Sequence, residues 1–134
     1  MDNSIFFWLF LVLLSTLLFI TFLNSTYKSG SFNMWISRYS KTSYRATYSW
    51  FNGFVSIPIK IDTPQEKTFT YEINVEKESL KLTLTHPNKS EHPIEICEGG
   101  TIETTKTVEF PTTGKYRLRI IGKKTKGSFD VKWS

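Results

Sequence analysis

The sequence predicts an all-β protein, an antiparallel β-sandwich of about seven or eight strands, preceded by one N-terminal transmembrane helix. Two observations lead to this fold class. The run Ile5–Leu23 contains no charged residue, whereas apolar and polar residues alternate from about position 43 onward. A period of two is typical of strands with one buried and one wet face. We therefore divide the chain into a transmembrane anchor (1–24), a juxtamembrane linker (25–42) and a β-sandwich domain (43–134).

The apolar run is long enough to cross a bilayer. Its nineteen residues would form a helix ~28 Å long, close to the ~30 Å hydrocarbon core of a membrane. A cleaved signal peptide is the closest alternative, but the start Met1-Asp2-Asn3 has no basic residue and no A-x-A-like cleavage site follows. A buried soluble helix would need a larger domain around it. We expect an uncleaved anchor, which makes the membrane a partner.

Residues 25–42 are rich in Ser, Thr, Gly and Asn, a composition that predicts a linker. Tyr27, Trp35 and Tyr39 are interleaved with cations. Aromatic rings and basic groups suit the headgroup layer, so this segment either lies against a membrane surface or is a flexible spacer.

Eight candidate strands follow; inward apolar residues alternate with polar ones in five of them, and the runs beginning at Tyr44, Pro93 and Thr101 are further candidates. The eight are Tyr44–Phe51, Val55–Ile61, Phe69–Val75, Leu80–Leu84, Pro93–Glu98, Thr101–Phe110, Tyr116–Ile120 and Phe129–Trp133. Pro58 cannot donate a ladder hydrogen bond, so its strand should be an edge strand or should direct that nitrogen outward. The last two runs are predicted to form a hairpin that pairs Ile120 with Phe129, with Trp133 in the core. A fragment starting at about Thr42 should then contain the whole core.

The end of the chain resembles a known group of proteins. Residues 114–133 read GKYRLRIIGKKTKGSFDVKW, residues 48–53 read YSWFNG and residues 69–82 read FTYEINVEKESLKL. These segments resemble small extracytoplasmic, lipoprotein-like β-sandwich proteins of Gram-positive bacteria, which typically end in G-K-Y…G-K-x-x-K-G-S-F-x-V-x-W. The resemblance covers about residues 44–134.

This resemblance implies an exported protein held at the outer membrane face, with no assigned activity. The chain departs from the group because its only cysteine is Cys97, so no lipid-bearing cysteine follows the apolar run. The cations Lys28, Arg38 and Lys41 follow that run, and the positive-inside rule would place the domain in the cytoplasm. We follow the resemblance and expect a single-pass plasma-membrane protein with its domain on the extracytoplasmic face.

The net charge of +5 is concentrated near the end of the chain. Residues 115–132 contain seven basic residues and one acidic residue, whereas residues 62–109 contain five basic and ten acidic residues. A polyanion-binding surface is one interpretation, with an anionic envelope polymer or lipid headgroups as partner, and a solvated outer face is the other. Nucleic acid is disfavoured because no stacking aromatics alternate with these cations. The candidate anion-binding residues are Lys115, Arg117, Arg119, Lys123, Lys124, Lys126 and Lys132.

No catalytic set is identifiable, so we do not expect an enzyme. Glu91, Glu95 and Cys97 lie near His86 and His92 in the sequence. The two histidines bracket a turn, so their rings should face water, and we expect no metal or cofactor there. We expect a binding or scaffolding module of the cell envelope. The alternative is a carbohydrate- or peptide-binding accessory domain for an envelope enzyme. A coplanar, exposed trio among four aromatics would favour that alternative; these are Trp35, Tyr48, Trp50 and Phe54.

Overall fold

One helix and seven antiparallel strands make up the computed structural model, which describes residues 3–23 and 25–134. The elements in chain order are α1 (Asn3–Leu23), β1 (Tyr27–Asn33), β2 (Ile36–Ser40), β3 (Ser43–Ile61), β4 (Gln65–Thr85), β5 (Glu91–Cys97), β6 (Gly100–Phe110) and β7 (Gly114–Trp133). The all-β class and the antiparallel pairing are as predicted.

Three long strands form the middle of the sheet, in the order β3–β7–β4. They contain 19, 20 and 21 residues. Each long strand contains two of the runs that the alternation predicts as separate strands. The short strands β1 and β2 both pair with β3, and β5 and β6 both pair with β4.

Each long strand is irregular near its midpoint. The pairing register shifts between Tyr48 and Gly53 on β3 and between Val75 and Ser79 on β4. Glu78 and Lys124 have left-handed backbone conformations, with φ of 57° and 46°. An extra residue at a β-bulge bends a strand and changes which alternate residues face inward. On β4 the buried positions accordingly change from odd to even numbers across this point.

These three irregularities form a crease, across which the sheet folds into two layers that pack face to face. Layer A consists of β2, residues 43–48 of β3, residues 127–133 of β7, residues 65–75 of β4, and β6. Layer B consists of β1, residues 53–61 of β3, residues 114–122 of β7, residues 79–85 of β4, and β5.

The core lies between the layers. Inward side chains such as Phe69 in layer A and Leu118 in layer B are fully buried. Contacts join the two layers directly: the rings of Phe110 and Tyr116 lie 4.7 Å apart, centroid to centroid. Trp133 is 6 % exposed, which confirms the prediction that it is a core residue.

The predicted C-terminal hairpin is wrong. Residues 116–120 and 129–133 belong to one continuous strand, β7, which pairs with β3 on one side and β4 on the other. Ile120 lies opposite Val55 and Leu82 rather than Phe129. The glycines and lysines of residues 122–127 form the crease on β7, and the sequence alone did not distinguish this crease from a turn.

The segment 25–42, which we expected to be a linker, contains β1 and β2. Gly30 and Gly53 face each other in the β1–β3 ladder. A Cβ on Gly53 would lie 2.0 Å from the carbonyl oxygen of Ser29, so glycine permits this close approach. The pairing of β1 with β3 ends opposite Ser56, so it does not reach Pro58. Among the described strands, Pro58 pairs only with β7, which is the edge position expected for a proline.

A helix is confirmed at the N-terminal apolar run, where α1 lies. Among residues 3–23 and 25–134, no helix has the combination of length and apolar character that crossing a membrane requires.

Candidate ligand-binding surface

The candidate anion-binding residues lie in three separate places because β7 runs through both layers. Lys115, Arg117 and Arg119 lie on the outer face of layer B, since Tyr116 and Leu118 between them point inward. Lys132 lies on the outer face of layer A. The remaining candidates lie at or beside the crease; these are Lys123, Lys124 and Lys126.

The outer face of layer A carries, besides Lys132, a different set of charges, none of which belongs to the predicted anion-binding residues. Five charged residues lie side by side across all five strands of the layer. Arg38 of β2 faces Arg45, Arg45 faces Asp130, Asp130 faces Glu72 and Glu72 faces Glu103 of β6. We call this set the charged row. Neighbouring strands lie ~4.8 Å apart, so the row spans roughly 19 Å.

The charges in this row are segregated by sign. Both arginines lie at one end and all three carboxylates lie at the other, so three of the four cross-strand neighbours are like-charged. Like charges directly opposite each other destabilise a sheet. A face selected for stability alone would alternate the signs.

The charges of the row are also not paired with one another. Among the described residues, none of its five side chains forms an ion pair or a hydrogen bond. Three adjoining cavities of about 280, 330 and 150 Å³ lie along the row, and residues of the row line each of them. Lys132 also lines two of these cavities. The charged groups are therefore open to a ligand.

Two polar rows flank the charged row on the same face. One runs from Ser40 of β2 through Lys132 to Thr105 of β6, and the other from Ile36 through Ser128 to Thr101. Their hydroxyl and amide groups donate and accept hydrogen bonds. The outer face of layer A thus offers cations, carboxylates and neutral polar groups in three parallel lines.

The exposed aromatic trio does not form. Trp35 stacks on Tyr48, with ring centroids 5.4 Å apart, and Tyr48 is 3 % exposed. The indole nitrogen of Trp50 donates a hydrogen bond to Ser31 Oγ, and Phe54 lies beneath the guanidinium of Arg119. These rings stabilise the fold.

A polar bridge joins the layers at their open edge. The Tyr71 hydroxyl donates to Glu95 Oε1 over 2.9 Å, Lys106 Nζ lies 3.5 Å from the same oxygen, and that ammonium donates to the Ile94 carbonyl. Burial, and then the hydrogen bond to the Glu95 carboxylate and its charge, raise the pKa of Tyr71. This bridge connects β4 and β6 of layer A to β5 of layer B.

The two histidines also lie at this edge. The rings of His86 and His92 are 6.4 Å apart, and both residues line a cavity of about 570 Å³ with Lys106 and Glu109. Cys97 is buried and free. In the described part of the chain, no three His, Cys, Asp or Glu side chains are grouped so that they could hold a metal ion.

Comparison with known proteins gives structural likenesses only. No family model matches the chain, and no curated protein matches it. A family 29 carbohydrate-binding module has a TM-score of 0.49 at 10 % identity, over 81 % of this chain and 73 % of that one. A variant of such a module complexed with cellulohexaose gives 0.48 at 10 % identity, over 81 % and 75 % of the two chains. A variant complexed with mannohexaose gives 0.47 at 10 % identity, over 81 % and 79 %.

Proposed function

We propose that this protein is a non-catalytic binding module, and that its charged row and the flanking polar rows bind a saccharide. One observation carries the proposal: five charged side chains are aligned across layer A without any ion pair among the described residues. Maintaining three like-charged neighbours lowers the stability of the sheet. A ligand that engages these groups gives a reason for their arrangement.

The chemistry of the row suits a ligand rich in hydroxyl groups. Arg38 and Arg45 present guanidinium donors, and the carboxylates of Asp130, Glu72 and Glu103 accept hydrogen bonds. A sugar hydroxyl both donates and accepts, so neighbouring hydroxyls of one saccharide can engage both ends of the row. Hydrogen bonds to charged groups are shorter and stronger than neutral ones. Recognition by the row itself therefore depends on these polar contacts.

Direct binding measurements test this proposal. Titration of the protein with soluble polysaccharides, followed by calorimetry, should identify a ligand whose affinity falls ~10-fold or more in Arg45→Gln and Asp130→Asn, because each change removes a charged hydrogen-bonding group. Lys115→Gln is the matched control for Arg45→Gln, since it removes one positive charge from the outer face of layer B. Equal loss of affinity in Lys115→Gln would show that the charged row does not bind the saccharide.

A peptide is the competing ligand for the same face. Its amide groups can also donate and accept, and a peptide with segregated charges would complement the row. Screening the same variants against a peptide library distinguishes the two, because a saccharide site should bind no peptide more tightly than its best polysaccharide.

We also propose that α1 attaches this module to a membrane at the cell envelope, with the β-sandwich on the extracytoplasmic face. Large apolar side chains are exposed along the helix, including Trp8 at 65 % and Leu13 at 69 %. Exposed apolar surface of this extent is normally covered by lipid or protein. Protease treatment of intact cells should degrade the domain if it is extracytoplasmic, and deletion of residues 1–24 should release it from the membrane fraction. Protection of the domain in intact cells would refute the orientation.

A further inference from the structure

A second polar surface lies on the outer face of layer B, facing away from the charged row. Arg117 and Arg119 of β7 both point outward there. The guanidinium carbon of Arg117 lies 4.9 Å from the centre of the Tyr27 ring, and that of Arg119 lies 4.4 Å from the centre of the Phe54 ring. The two rings pack edge to face with their centroids 5.9 Å apart. This aromatic floor supports both guanidinium groups. Arg117 Nη1 also donates to the Ser25 carbonyl oxygen over 3.0 Å and to Ser56 Oγ over 3.2 Å.

Two threonines of β4 lie beside these arginines. Thr83 faces Arg119 and Thr85 faces Arg117 in the β4–β7 ladder. The hydroxyl oxygens of both threonines are buried, and among the described residues neither has a hydrogen-bond partner. Thr83 as a whole is 1 % exposed. A buried hydroxyl without a partner is unfavourable, so its retention needs an explanation.

An ion pair explains why these hydroxyls are buried. Arg119 Nη1 lies 3.2 Å from Glu91 Oε1. Glu91 is on β5, opposite Thr85, and β4 lies between β5 and β7. The ion pair therefore crosses β4 diagonally, between Thr83 and Thr85. The side chains of Arg119 and Glu91 are 29 % and 51 % exposed, and exposed ion pairs of this kind are weak.

We infer that this surface is a binding site for a tetrahedral oxyanion, a phosphate or sulfate ester, which replaces the Glu91 carboxylate on Arg119. The guanidinium group of Arg119 matches the oxygens of such an anion in pairs, and Arg117, ~7 Å away at its Cα atom, adds a second positive charge. When the carboxylate leaves, the hydroxyls of Thr83 and Thr85 become available as donors to the remaining oxygens. The Glu91 carboxylate thus takes the place on Arg119 that the oxyanion would occupy.

The competing role of Glu91 gives the sharpest test. In the full chain, held in a neutral detergent at ~0.15 M salt to screen diffuse attraction, glycerol phosphate is titrated and binding is followed by calorimetry and amide chemical shifts. Glu91→Gln should tighten binding ~3- to 10-fold, because the oxyanion no longer displaces a charged competitor. Unchanged or weaker binding in Glu91→Gln would overturn the proposal.

Arg119 and Thr83 variants separate a shaped site from a diffuse positive surface. Arg119→Lys keeps the charge but loses the planar fork, so binding should fall ~10-fold. Thr83→Val keeps the shape but loses the donor, and it should weaken binding ~3- to 10-fold without lowering the denaturation midpoint. Lys115→Gln, on the same face of β7, should change binding less than ~2-fold. Retained binding in Arg119→Lys together with loss in Lys115→Gln would show charge attraction only.

The phosphate ester can come from a lipid headgroup or from a soluble polymer, and one comparison distinguishes them. Vesicles of phosphatidylcholine with phosphatidylglycerol are compared with vesicles of phosphatidylcholine alone, and glycerol phosphate is added as competitor. Competition shows that the free ester occupies the site, and tighter binding to the vesicles assigns the lipid as the preferred source. Because α1 itself would bind both kinds of vesicle, the quantity measured is the extra binding that phosphatidylglycerol adds. Extra binding that resists competition and persists in Arg119→Lys would exclude the site.

Discussion

Tyr71 shows how one side chain can couple stability to pH. Its hydroxyl spans the core to reach Glu95 on the opposite layer. Burial and the neighbouring carboxylate raise the pKa of this phenol above its ordinary value of 10.0, because both disfavour the phenolate. The folded protein therefore holds the phenolic proton more tightly than the unfolded chain. Stability from this difference is complete below pH 10.0 and falls as the pH rises above it.

Tyr71→Phe should lower the free energy of unfolding at neutral pH by ~0.5–1.5 kcal/mol, because the hydrogen bond to Glu95 is lost. It should also make the decline of stability above pH ~10 less steep, because one raised pKa is removed. Urea denaturation at pH ~8 and ~10.5 measures both effects. Tyr44 and Tyr48 also have raised pKa values through burial, so some decline remains. An unchanged slope in Tyr71→Phe would contradict this account.

Glu72 lies at the most strongly acidic point of the charged row, between Asp130 and Glu103. Glu72→Gln should raise the free energy of unfolding by ~0.2–1 kcal/mol, since it relieves two like-charge contacts. The same change should weaken the proposed binding of a saccharide to the row. Glu98→Gln, which removes an exposed charge between β5 and β6, is the control and should change neither quantity. A lower denaturation midpoint in Glu72→Gln would show that the row contributes to stability.

At the level of single elements, the crease determines what could be predicted from the sequence. The period of two identified the inward apolar residues of the regular stretches, such as Phe69 and Leu118, since it depends only on local alternation. It missed buried residues near the crease, such as Tyr48 and Thr125. It did not show that two such runs form one strand, because an extra residue at a bulge produces the same break in the pattern as a turn. The charged row also could not be predicted. It requires the register of five strands, and its members range from Arg38 to Glu103 and Asp130.

The crease on β4 requires a left-handed backbone conformation at one residue, Glu78. Glu78 has a φ of 57°, a conformation that is unfavourable for residues with a Cβ. Glu78→Gly should raise the free energy of unfolding by up to ~1 kcal/mol, because relief of this strain exceeds the added flexibility of the unfolded chain. Lys77→Gly is the control, and it should destabilise the protein because Lys77 lies in the strand without this strain. Thermal denaturation measures both, and destabilisation by Glu78→Gly would refute the strained conformation.

For the whole molecule, the domain boundary differs from the predicted one. Phe32 and Trp35 lie before Thr42, yet both pack against Phe51, with ring centroids 5.2 and 5.1 Å away. The composition of residues 25–42 did not indicate that they contain strands, because a strand at the edge of a sheet tolerates many Ser and Gly residues. The expectation that a fragment from Thr42 contains the whole core is therefore corrected.

A fragment of residues 25–134 should unfold cooperatively, whereas a fragment of residues 42–134 should be less stable by ~3–5 kcal/mol or more, because it exposes the core rings that β1 and β2 cover. Chemical denaturation of the two purified fragments makes the comparison. Equal midpoints would show that β1 and β2 add nothing to the fold.

The central position of β7 has a consequence for synthesis of the chain. Within residues 3–23 and 25–134, β3 and β4 form no ladder with each other, and β7 lies between them. A nascent chain that has not yet produced residues 114–133 therefore consists of two strand groups, each with a long unsatisfied edge. Such edges are templates for pairing with other chains. Until β7 has left the ribosome, the unpaired edges of both groups can pair with other chains. Incomplete translation products of this protein should therefore depend on chaperones to remain soluble.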